Sequence, residues 1–581
     1  MVQWFLLDPS SAPPPAARMG QTRQNGWLWA GWLLFFLLMF LPSIWFFAVT
    51  VGEETARLVT GQAGGSLASG RALRLLARSL ALGLGAAAIA LVLGTTTGYL
   101  TTRIAFRGRR LFFALLLVPF FLPGYIYATA WVEWLAPELV APDVEPLPSR
   151  VYSLPSAMLV LGLHLFPWVH LVAGAGFASI ESHLEDAARL ALSGAQRFAR
   201  ITLPLISGIL ASVGLFVFVV GLKNHNIPML LRQRVFPTEI MIAYEAGGDD
   251  RQAALAGLVF VVVSLAALGL ALWVALRRRR IAVEGISPPW VECFKFQVSS
   301  FKSQVSSFKS QVSGFRFQVS GFKLRRAIVP LVVLAVFVAT VALPMAILIR
   351  TASGWSNYKI VLESARPQIA NGLLTAAIVA TLSVIVGFLL AEQIGRSGRL
   401  GAGFTITALF ILFALPASVL DLGLIQFWNR SGPMGWLYDS RAMLVLGQTA
   451  TFLPIAVLGL SVALRRIDPH LIEAAEMAGL PWRTVALRIL WPMLRPWFIG
   501  LLAVVFVLSL NDAESAVLLA APGRDTLSVR IMTLLHYAPD AQVSALCVIQ
   551  VVVTAAAIGL VAAAAIWMRA GRSVSSGSPS R

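Results

Sequence analysis

Long apolar runs separated by short polar segments make up most of this chain. Twelve runs are long enough to cross a bilayer as α-helices, each of which needs about 20 mostly apolar residues. The predicted spans are residues 27–51, 80–102, 111–131, 156–180, 206–222, 253–276, 327–349, 371–394, 401–424, 442–464, 497–517 and 541–567. The pattern therefore predicts an all-α polytopic membrane protein with about 12 transmembrane helices.

Composition and net charge agree with this pattern. The 581 residues are 58% hydrophobic and 13% charged, with a mean hydropathy of +0.78, which is too apolar for a water-soluble chain of this length. A net charge of +19 would suggest a nucleic-acid partner in a soluble protein. Here the arginines lie at the ends of apolar runs, so the charge indicates topology and no nucleic-acid partner is expected.

Basic residues also predict the orientation in the bilayer. Arg109 and Arg110 lie in one short loop, and Arg277 to Arg280 follow the sixth span. Because cytoplasmic loops are enriched in Lys and Arg, we expect these segments inside the cell, with both termini cytoplasmic. Cys293 and Cys547 lie in a predicted linker and a predicted span, so no disulfide framework is expected.

The two halves of the chain repeat each other at a spacing of about 290 residues. Three residues recur 293 positions later, and three others recur 288 positions later. The pairs are Gly94 with Gly387, Arg103 with Arg396, Pro123 with Pro416, Glu185 with Glu473, Ile201 with Ile489 and Pro204 with Pro492. An even number of spans in each half predicts two parallel six-span repeats, related by an axis along the membrane normal.

This repeat predicts the organisation of the chain. Residues 1–26 form a cytoplasmic N-terminal segment, 27–280 the first half, 281–326 a cytoplasmic linker, 327–568 the second half and 569–581 a cytoplasmic tail. The linker contains a tandem seven-residue repeat from Phe294 to Phe322. Its high serine content favours a tether over a coiled coil.

A loop after the fourth span of the second half carries the most specific motif. The motif consists of Glu473, Ala474 and Ala475, then Gly479 after three residues, then Ile489 and Pro492 after nine more. Asp468 and Pro469 supply an N-cap and a first-turn proline, and Gly479 is suited to end the helix. The sequence therefore predicts a short rigid helix, whose small alanine side chains let a partner groove approach closely.

This arrangement resembles the Glu-Ala-Ala loop of ABC importer permeases, with Trp491 in place of the leucine before the last proline. The first half carries a second copy, with an alanine at the glycine position and a glycine three residues later. This copy consists of Glu185, Asp186, Ala187, Ala191, Gly194, Ile201 and Pro204. Two copies in register favour the resemblance over a chance run of helix-forming residues.

The resemblance implies the partners and their chemistry. In this family the loops dock on two cytoplasmic ABC ATPase subunits, which bind ATP and magnesium, and a periplasmic or lipid-tethered binding protein delivers the substrate. The chain has no Gly-Lys dipeptide and hence no phosphate-binding loop. We therefore expect a transport subunit of the bacterial inner membrane, not an enzyme, with no catalytic residue, metal site or cofactor of its own.

The fusion of two permease halves narrows the resemblance further. Together with the stretch from Leu518 to Leu527 and the pair His536 and Tyr537, it resembles the ferric-iron permeases. That resemblance implies ferric iron as the cargo. Thiamine and phosphonate-type permeases share much of the pattern, so these or another small solute stay open as alternatives.

Polar clusters at the ends of the two fifth spans are candidates for the substrate path. They consist of Asn224, His225 and Asn226 in the first half and Asn511, Asp512 and Glu514 in the second. Carboxylates and carbonyl oxygens suit a hard cation such as ferric iron, and solvated loop ends would give the same pattern. Prolines inside spans are open to two interpretations as well. They break helices along a substrate pathway, or they only kink helices that pack together. They are Pro119, Pro123, Pro167, Pro416 and Pro454.

Two other classes of protein compete with an ABC permease. A secondary transporter also has two parallel six-span halves, but it usually needs buried ionisable groups for ion coupling. The predicted spans are nearly free of acids, and Glu392 and Asp421 lie close to span ends. An intramembrane enzyme is the weakest alternative, because no His-Glu-x-x-His motif or catalytic pair is present.

Overall fold

The structure is a computed structural model of the 581-residue chain. It describes residues 31–59, 70–135, 151–180, 192–247, 322–430, 435–481, 484–535 and 540–575, with scattered positions from 259 to 270. Most of the predicted sixth span, Cys293 and nearly all of the predicted linker lie outside the described residues, as do His536 and Tyr537.

Helices make up all the regular secondary structure of the described residues. The first nine are α1 (Leu41–Val59), α2 (Gly70–Arg103), α3 (Arg109–Leu115), α4 (Gly124–Leu135), α5 (Leu154–Ala178), α6 (Gly194–Arg197), α7 (Leu203–Lys223), α8 (Asn226–Leu230) and α9 (Phe236–Gly247). The next six are α10 (Phe322–Phe337), α11 (Leu343–Thr351), α12 (Trp355–Arg396), α13 (Arg399–Ala414), α14 (Ala417–Trp428) and α15 (Gly435–Tyr438). The last six are α16 (Arg441–Arg465), α17 (Pro469–Met477), α18 (Trp491–Leu510), α19 (Glu514–Leu519), α20 (Leu527–Leu534) and α21 (Asp540–Ser575).

The prediction of an all-α polytopic membrane protein is confirmed. Within the described residues, nine helices are long and apolar enough to cross a bilayer, and the number rises to eleven if two bent helix pairs each count as one span. The full count of 12 stays a prediction. The fifth span of the second half ends earlier than the predicted residue 517, because α18 ends at Leu510 and α19 begins separately at Glu514.

The third span of each half was predicted from its apolar length, with a break and a packing kink both left open at its prolines, and the structure shows a break in each. Residues 109–121 and 124–134 form a pair of helices bent by 96°, and residues 400–414 and 417–428 form a pair bent by 106°. Pro123 and Pro416 lie at these bends, where the missing N–H and the ring of proline favour a break. Pro167 and Pro454 instead lie inside the continuous helices α5 and α16.

The described chain divides into two compact units. The first contains residues Gly70–Thr238 and Val263–Ile347, and its largest packing interface joins α2 to α5. The helix α10, which follows the predicted linker, packs on α2 and α3 in this unit. Phe337 of α10 lies 6.2 Å from Phe112 of α3 between ring centroids.

The second unit contains residues Leu348–Arg581 and the first helix of the chain. Its largest interface joins α12 to α16, the counterparts of α2 and α5 in the repeat. The helix α1 packs on α14, where the Trp45 and Phe427 rings lie 6.3 Å apart. Each unit therefore includes a helix from the other half of the sequence, and the predicted domain boundaries stay a prediction.

Repeated glycines allow the central helices of each unit to pack closely. A Cβ atom on Gly94 would overlap the Cβ of Val169 and would lie 2.7 Å from the backbone nitrogen of His170. The packing around the equivalent Gly387 is less tight, because a Cβ there would lie 3.0 Å from the Cβ of Ala456. Small residues at such crossings let helix backbones approach each other in membranes.

We expect Gly94→Ala to destabilise the first unit by about 1–3 kcal/mol, because the added methyl group would overlap both the Val169 side chain and the α5 backbone. The melting temperature of the purified protein in mild detergent should fall. Gly208→Ala is the matched control, since a Cβ on Gly208 meets nothing within 4 Å. Equal melting temperatures for the two variants would contradict the close packing.

Candidate functional site: the loop helix and the interrupted helices

The predicted loop helix of the second half is present as α17, which begins at Pro469 and ends at Met477. Asp468 caps it, because its Oδ1 accepts a hydrogen bond of 3.0 Å from the backbone nitrogen of His470. Glu473 lies one turn further on, and its carboxylate is 3.2 Å from Nδ1 of His470. The cap at Asp468 thus fixes the first residue of α17 at Pro469, and Glu473 lies on the second turn of this helix.

Gly479 ends this helix as the motif predicts. Its φ of +67° is in the left-handed region, which favours glycine. Leu480 N donates a 3.1 Å hydrogen bond to the carbonyl oxygen of Ala475, and Ala478 N donates a 3.0 Å bond to that of Ala474. These bonds satisfy the last carbonyl groups of the helix, so the helix stops sharply.

The surface of α17 is divided between a buried and an exposed side. Ala475 is buried, whereas Ala474 is exposed and Glu473 is half-buried. Large apolar side chains are also exposed along the loop, with exposed fractions of 45% at Leu471, 84% at Met477 and 41% at Leu480. A thin helix with exposed apolar side chains is suited to insert into a groove of another protein.

An apolar cluster supports the helices on either side of this loop. Ile467, at the end of the fourth span, packs with Ala463 and with Leu494 of α18 in a buried group. Phe388, Trp497 and other partly buried apolar side chains surround it. The guanidinium carbon of Arg466 lies 5.7 Å from the ring centroid of Trp497. Both ends of the loop are therefore held by packed spans.

The loop of the first half is only partly described. Glu185, Asp186, Ala187 and Ala191 lie outside the described residues. Gly194 is the first residue of the short helix α6, and Ser193 Oγ accepts a 3.4 Å hydrogen bond from the backbone nitrogen of Gln196. The backbone nitrogen of Ser193 in turn donates a 3.2 Å bond to Oε1 of Gln196. This reciprocal pair is a capping box, which the motif comparison missed.

Arg103 holds the end of the span before that loop, a role that sequence reasoning also missed. Its Nη2 atom donates hydrogen bonds to the carbonyl oxygens of Phe177 and, at 3.0 Å, of Ile180. The ring of Tyr99 lies 5.2 Å from the ring of Phe177 and 5.0 Å from that of Phe198. Arg103, which pairs with Arg396 in the repeat, therefore satisfies carbonyl groups at the end of α5. This role is additional to the one predicted for arginines at span ends, which is to set the orientation of the chain in the bilayer.

The last residues of both motif copies lie at the start of the fifth span of each half. Ile201 belongs to a π-helical turn, Phe198–Thr202, and Ile489 belongs to another, Val485–Leu490. Pro204 and Pro492 follow at the second position of α7 and α18. The helix is continuous through each proline, and the π-helical turn just before it lies where the proline removes an N–H donor from the helix. The motif thus specifies a π-helical turn followed by a proline at the start of the fifth span in both halves.

The first polar cluster of the candidate substrate path lies where α7 ends and α8 begins. Asn224 caps α8, since its Oδ1 accepts a 3.1 Å hydrogen bond from the backbone nitrogen of Ile227. His225 is buried, with an exposed fraction of 3%, and Asn226 is the first residue of α8. These residues are therefore part of an interrupted helix and not a solvated loop end.

The second polar cluster has the same place between α18 and α19. Asp512 Oδ1 accepts a 3.2 Å hydrogen bond from the backbone nitrogen of Glu514. Asn511 Oδ1 accepts bonds from Gln550 Nε2 at 2.9 Å and from Thr554 Oγ1 at 3.0 Å, both on α21. Side chains of a neighbouring span thus support this interruption.

Asp421 is the main residue of this region that sequence reasoning misplaced. Its position was interpreted as close to a span end, but it lies inside α14 with an exposed fraction of 0%. The reason is the bend at Pro416, which starts a new helix and brings Asp421 into its second turn. The carboxyl groups of Asp512 and Glu514 act on it electrostatically. The signal for Asp421 in the sequence is an acidic residue five positions after a proline inside a span.

Comparison with known proteins supports the permease resemblance. A permease protein assigned to a ferric transport system of Haemophilus influenzae is 25% identical over 170 residues, which cover 29% of this chain and 26% of that protein. A probable sulfate transport system permease of Helicosporidium is 24% identical, over 38% of this chain and 87% of its own length. The spermidine/putrescine transport system permease of Escherichia coli K12 is 24% identical, over 32% of this chain and 70% of its own length.

These similarities are to permease components of transport systems, and they do not assign a cargo. The matched part spans about a quarter of the ferric relative, and the three relatives are named for three different cargoes. No protein-family model matches the chain. The comparisons and the helices together support a multi-pass membrane protein that resembles transport permeases.

We expect Gly479→Val to unwind the end of α17, because a β-branched residue at φ +67° is strained by about 1–2 kcal/mol. Gly479→Asn is the matched control, since asparagine tolerates this conformation. The rate of proteolysis within this loop of the purified protein is the measurement, and it should rise in Gly479→Val alone. Equal rates in both variants would show that the left-handed turn is not the cause.

Proposed function

We propose that this chain is the membrane-spanning permease subunit of an ATP-driven ABC importer. The observation that carries the proposal is α17, a capped helix with exposed apolar residues within the Glu-Ala-Ala motif. The relatives, which are permeases of transport systems, support the same assignment. ATP is hydrolysed by two cytoplasmic ABC ATPase subunits, and a periplasmic or lipid-tethered binding protein delivers the cargo.

The geometry of the second loop explains how a partner could move the membrane helices. Met477 and Leu480 offer apolar contacts to the ATPase surface, and Gly479 fixes the end of the helix. Force applied to α17 reaches α16 and α18 through the backbone of the loop, and the cluster around Ile467 and Leu494 joins these two spans. A rigid helix on a packed base transmits displacement, whereas a flexible loop would absorb it.

The orientation follows from this role. The loops that contact the ATPase subunits face the cytoplasm, so the N- and C-termini also lie in the cytoplasm. The chain is then a multi-pass protein of the bacterial inner membrane, with the binding protein on the opposite side.

For the cargo we propose ferric iron. The resemblance of the fused halves to ferric-iron permeases and the ferric relative of Haemophilus influenzae support this assignment. Thiamine, phosphonate or another small solute is the alternative, and the sulfate and polyamine relatives add further candidates. Loss of ferric uptake in cells that lack this chain, measured with radioactive iron, would support iron. Normal iron uptake with loss of sulfate or spermidine uptake would assign the cargo to one of these solutes instead.

A secondary transporter of six plus six spans is the second candidate function. The burial of Asp421 inside a span favours it, because ion-coupled carriers use buried acids. Uptake that a protonophore abolishes at constant cellular ATP would support this candidate. Uptake that depends on ATP alone would exclude it.

Replacement of Glu473 tests the importer directly. We expect Glu473→Arg to lower uptake and ATPase coupling at least tenfold, because it places a bulky cation at the docking surface, while the folded protein remains. His470→Ala is the matched control. It removes the 3.2 Å contact between the two side chains but keeps the carboxylate. Unchanged coupling in Glu473→Arg, or equal defects in both variants, would contradict a docking role for Glu473.

A further inference from the structure

An open pocket lies at the junction between α2 and α3. Its volume is about 550 Å³, and a single segment of the chain forms its walls. The lining residues are Ala105, Phe106, Gly108, Arg109, Arg110 and Leu111. All of them belong to the first unit, so the pocket does not depend on the arrangement of the two units.

This pocket lies at the surface of the bilayer. The apolar helix α2 is long enough to cross a membrane and ends at Arg103, and the bent third span begins at Arg109. The connection between them, residues 104–108, is too short to extend far from the membrane. The pocket is therefore at the depth of the lipid headgroups.

The protein itself fixes the shape of the pocket. Gly108 has a φ of +82°, in the left-handed region that favours glycine, and its carbonyl oxygen accepts a 3.0 Å hydrogen bond from the backbone nitrogen of Phe112. The Phe112 ring lies 6.2 Å from the ring of Phe106 and 6.2 Å from that of Phe337 on α10. These contacts hold the turn against the start of α3.

One side of the pocket is basic, and the protein does not neutralise it. Among the described residues, the side chains of Arg109, Arg110 and the neighbouring exposed Arg107 make no hydrogen bond or ion pair. The sequence also contains no acidic residue between Glu54 and Glu133. Arg103 differs, because it donates to carbonyl groups of α5. The arginines of the pocket are therefore available to an anion from outside the protein.

The other side of the pocket is apolar. Leu111 follows the two arginines and is 62% exposed, and Phe106 is half-buried. None of the residues of α3 is fully buried. In a membrane, the acyl chains of lipids cover such an apolar helix surface, whereas a cation beside it faces the headgroups.

The arginine pair is a feature of the first half of the chain. At the offset of 293 residues, Ala402 and Gly403 occupy the positions of Arg109 and Arg110. The third span of the second half instead begins at Arg399. Orientation in the bilayer requires basic residues near span ends, which both halves have, but it does not require two arginines beside a pocket.

We propose that this pocket binds an anionic phospholipid. The phosphate group accepts hydrogen bonds from the guanidinium groups of Arg109 and Arg110, whose planar N–H donors suit phosphate oxygens. An acyl chain of the same lipid lies along Leu111. The lipid thus supplies both the negative charge and the apolar cover that the described residues leave open, and it holds the start of the broken third span at the membrane surface.

The test uses the full chain, purified in mild detergent and washed free of native lipids. Dioctanoyl phosphatidylglycerol is the anionic probe, dioctanoyl phosphatidylcholine is the zwitterionic lipid with the same chains, and glycerol 3-phosphate is a headgroup without chains. Native mass spectrometry measures the bound lipid at a series of lipid concentrations. We expect phosphatidylglycerol to bind about tenfold more tightly than phosphatidylcholine, and glycerol 3-phosphate in large excess not to displace it.

The double variant Arg109→Gln/Arg110→Gln should bind phosphatidylglycerol about tenfold more weakly or worse, because it removes two charged donors. Its melting temperature without lipid should not change, since neither side chain bonds to the described protein. Arg74→Gln/Arg399→Gln is the matched control. It removes the same charge outside the pocket, from an exposed position on α2 and from the start of α13, and it should bind the lipid normally.

Four outcomes would overturn the proposal. Equal affinity for the two lipids, or equal loss in the two double variants, would show only general attraction between a basic protein and an anionic lipid. Displacement by glycerol 3-phosphate would assign the pocket to a soluble phosphate compound. Unchanged lipid binding with loss of an ABC ATPase from the Arg109→Gln/Arg110→Gln preparation would assign it to a protein contact. The importer assignment does not depend on any of these results.

Discussion

An interruption of a helix inside an apolar bundle persists only if other groups satisfy the backbone N–H and C=O groups that it exposes. This constraint accounts for the polar side chains at the ends of α7 and α18. After α18, the carbonyl oxygen of Leu510 accepts hydrogen bonds from Gln550 and Ser528. After α7, Asn224 caps the next helix. The interruptions are therefore specified by the sequence, and each one brings polar side chains next to the end of a span.

The same constraint explains the positions of the functional candidates. The bend at Pro416 starts α14, which brings Asp421 towards α16, and the interruption after α18 brings Asp512 and Glu514 beside it. At the other end of α18, a π-helical turn and Pro492 start the span directly after the loop that carries α17. One helix thus joins the loop that carries α17 to the interruption at Asn511 and Asp512. A displacement of α17 has a short physical route to this interruption.

Much of the fold could be predicted from the sequence, since apolar length alone identifies most spans. The offsets of 293 and 288 residues also identified the paired glycines, prolines and motif residues that recur in equivalent helices. The bends of the third spans could not be predicted, because a proline inside a span gives either a break, as at Pro416, or a continuous helix, as at Pro454. That outcome depends on which neighbouring side chains satisfy the freed backbone groups. The depth of Asp421 was missed for the same reason.

The central claim is that α17 contacts an ATPase, and site-specific photocrosslinking tests it most directly. A photoreactive residue placed at Met477, which is 84% exposed, should form an adduct with an ABC ATPase subunit in native membranes. The same residue at Trp436, which is 75% exposed on the short helix α15, serves as the comparison and should not form this adduct. Adducts from Met477 that contain no ATPase, in membranes where the complex is otherwise intact, would contradict the account.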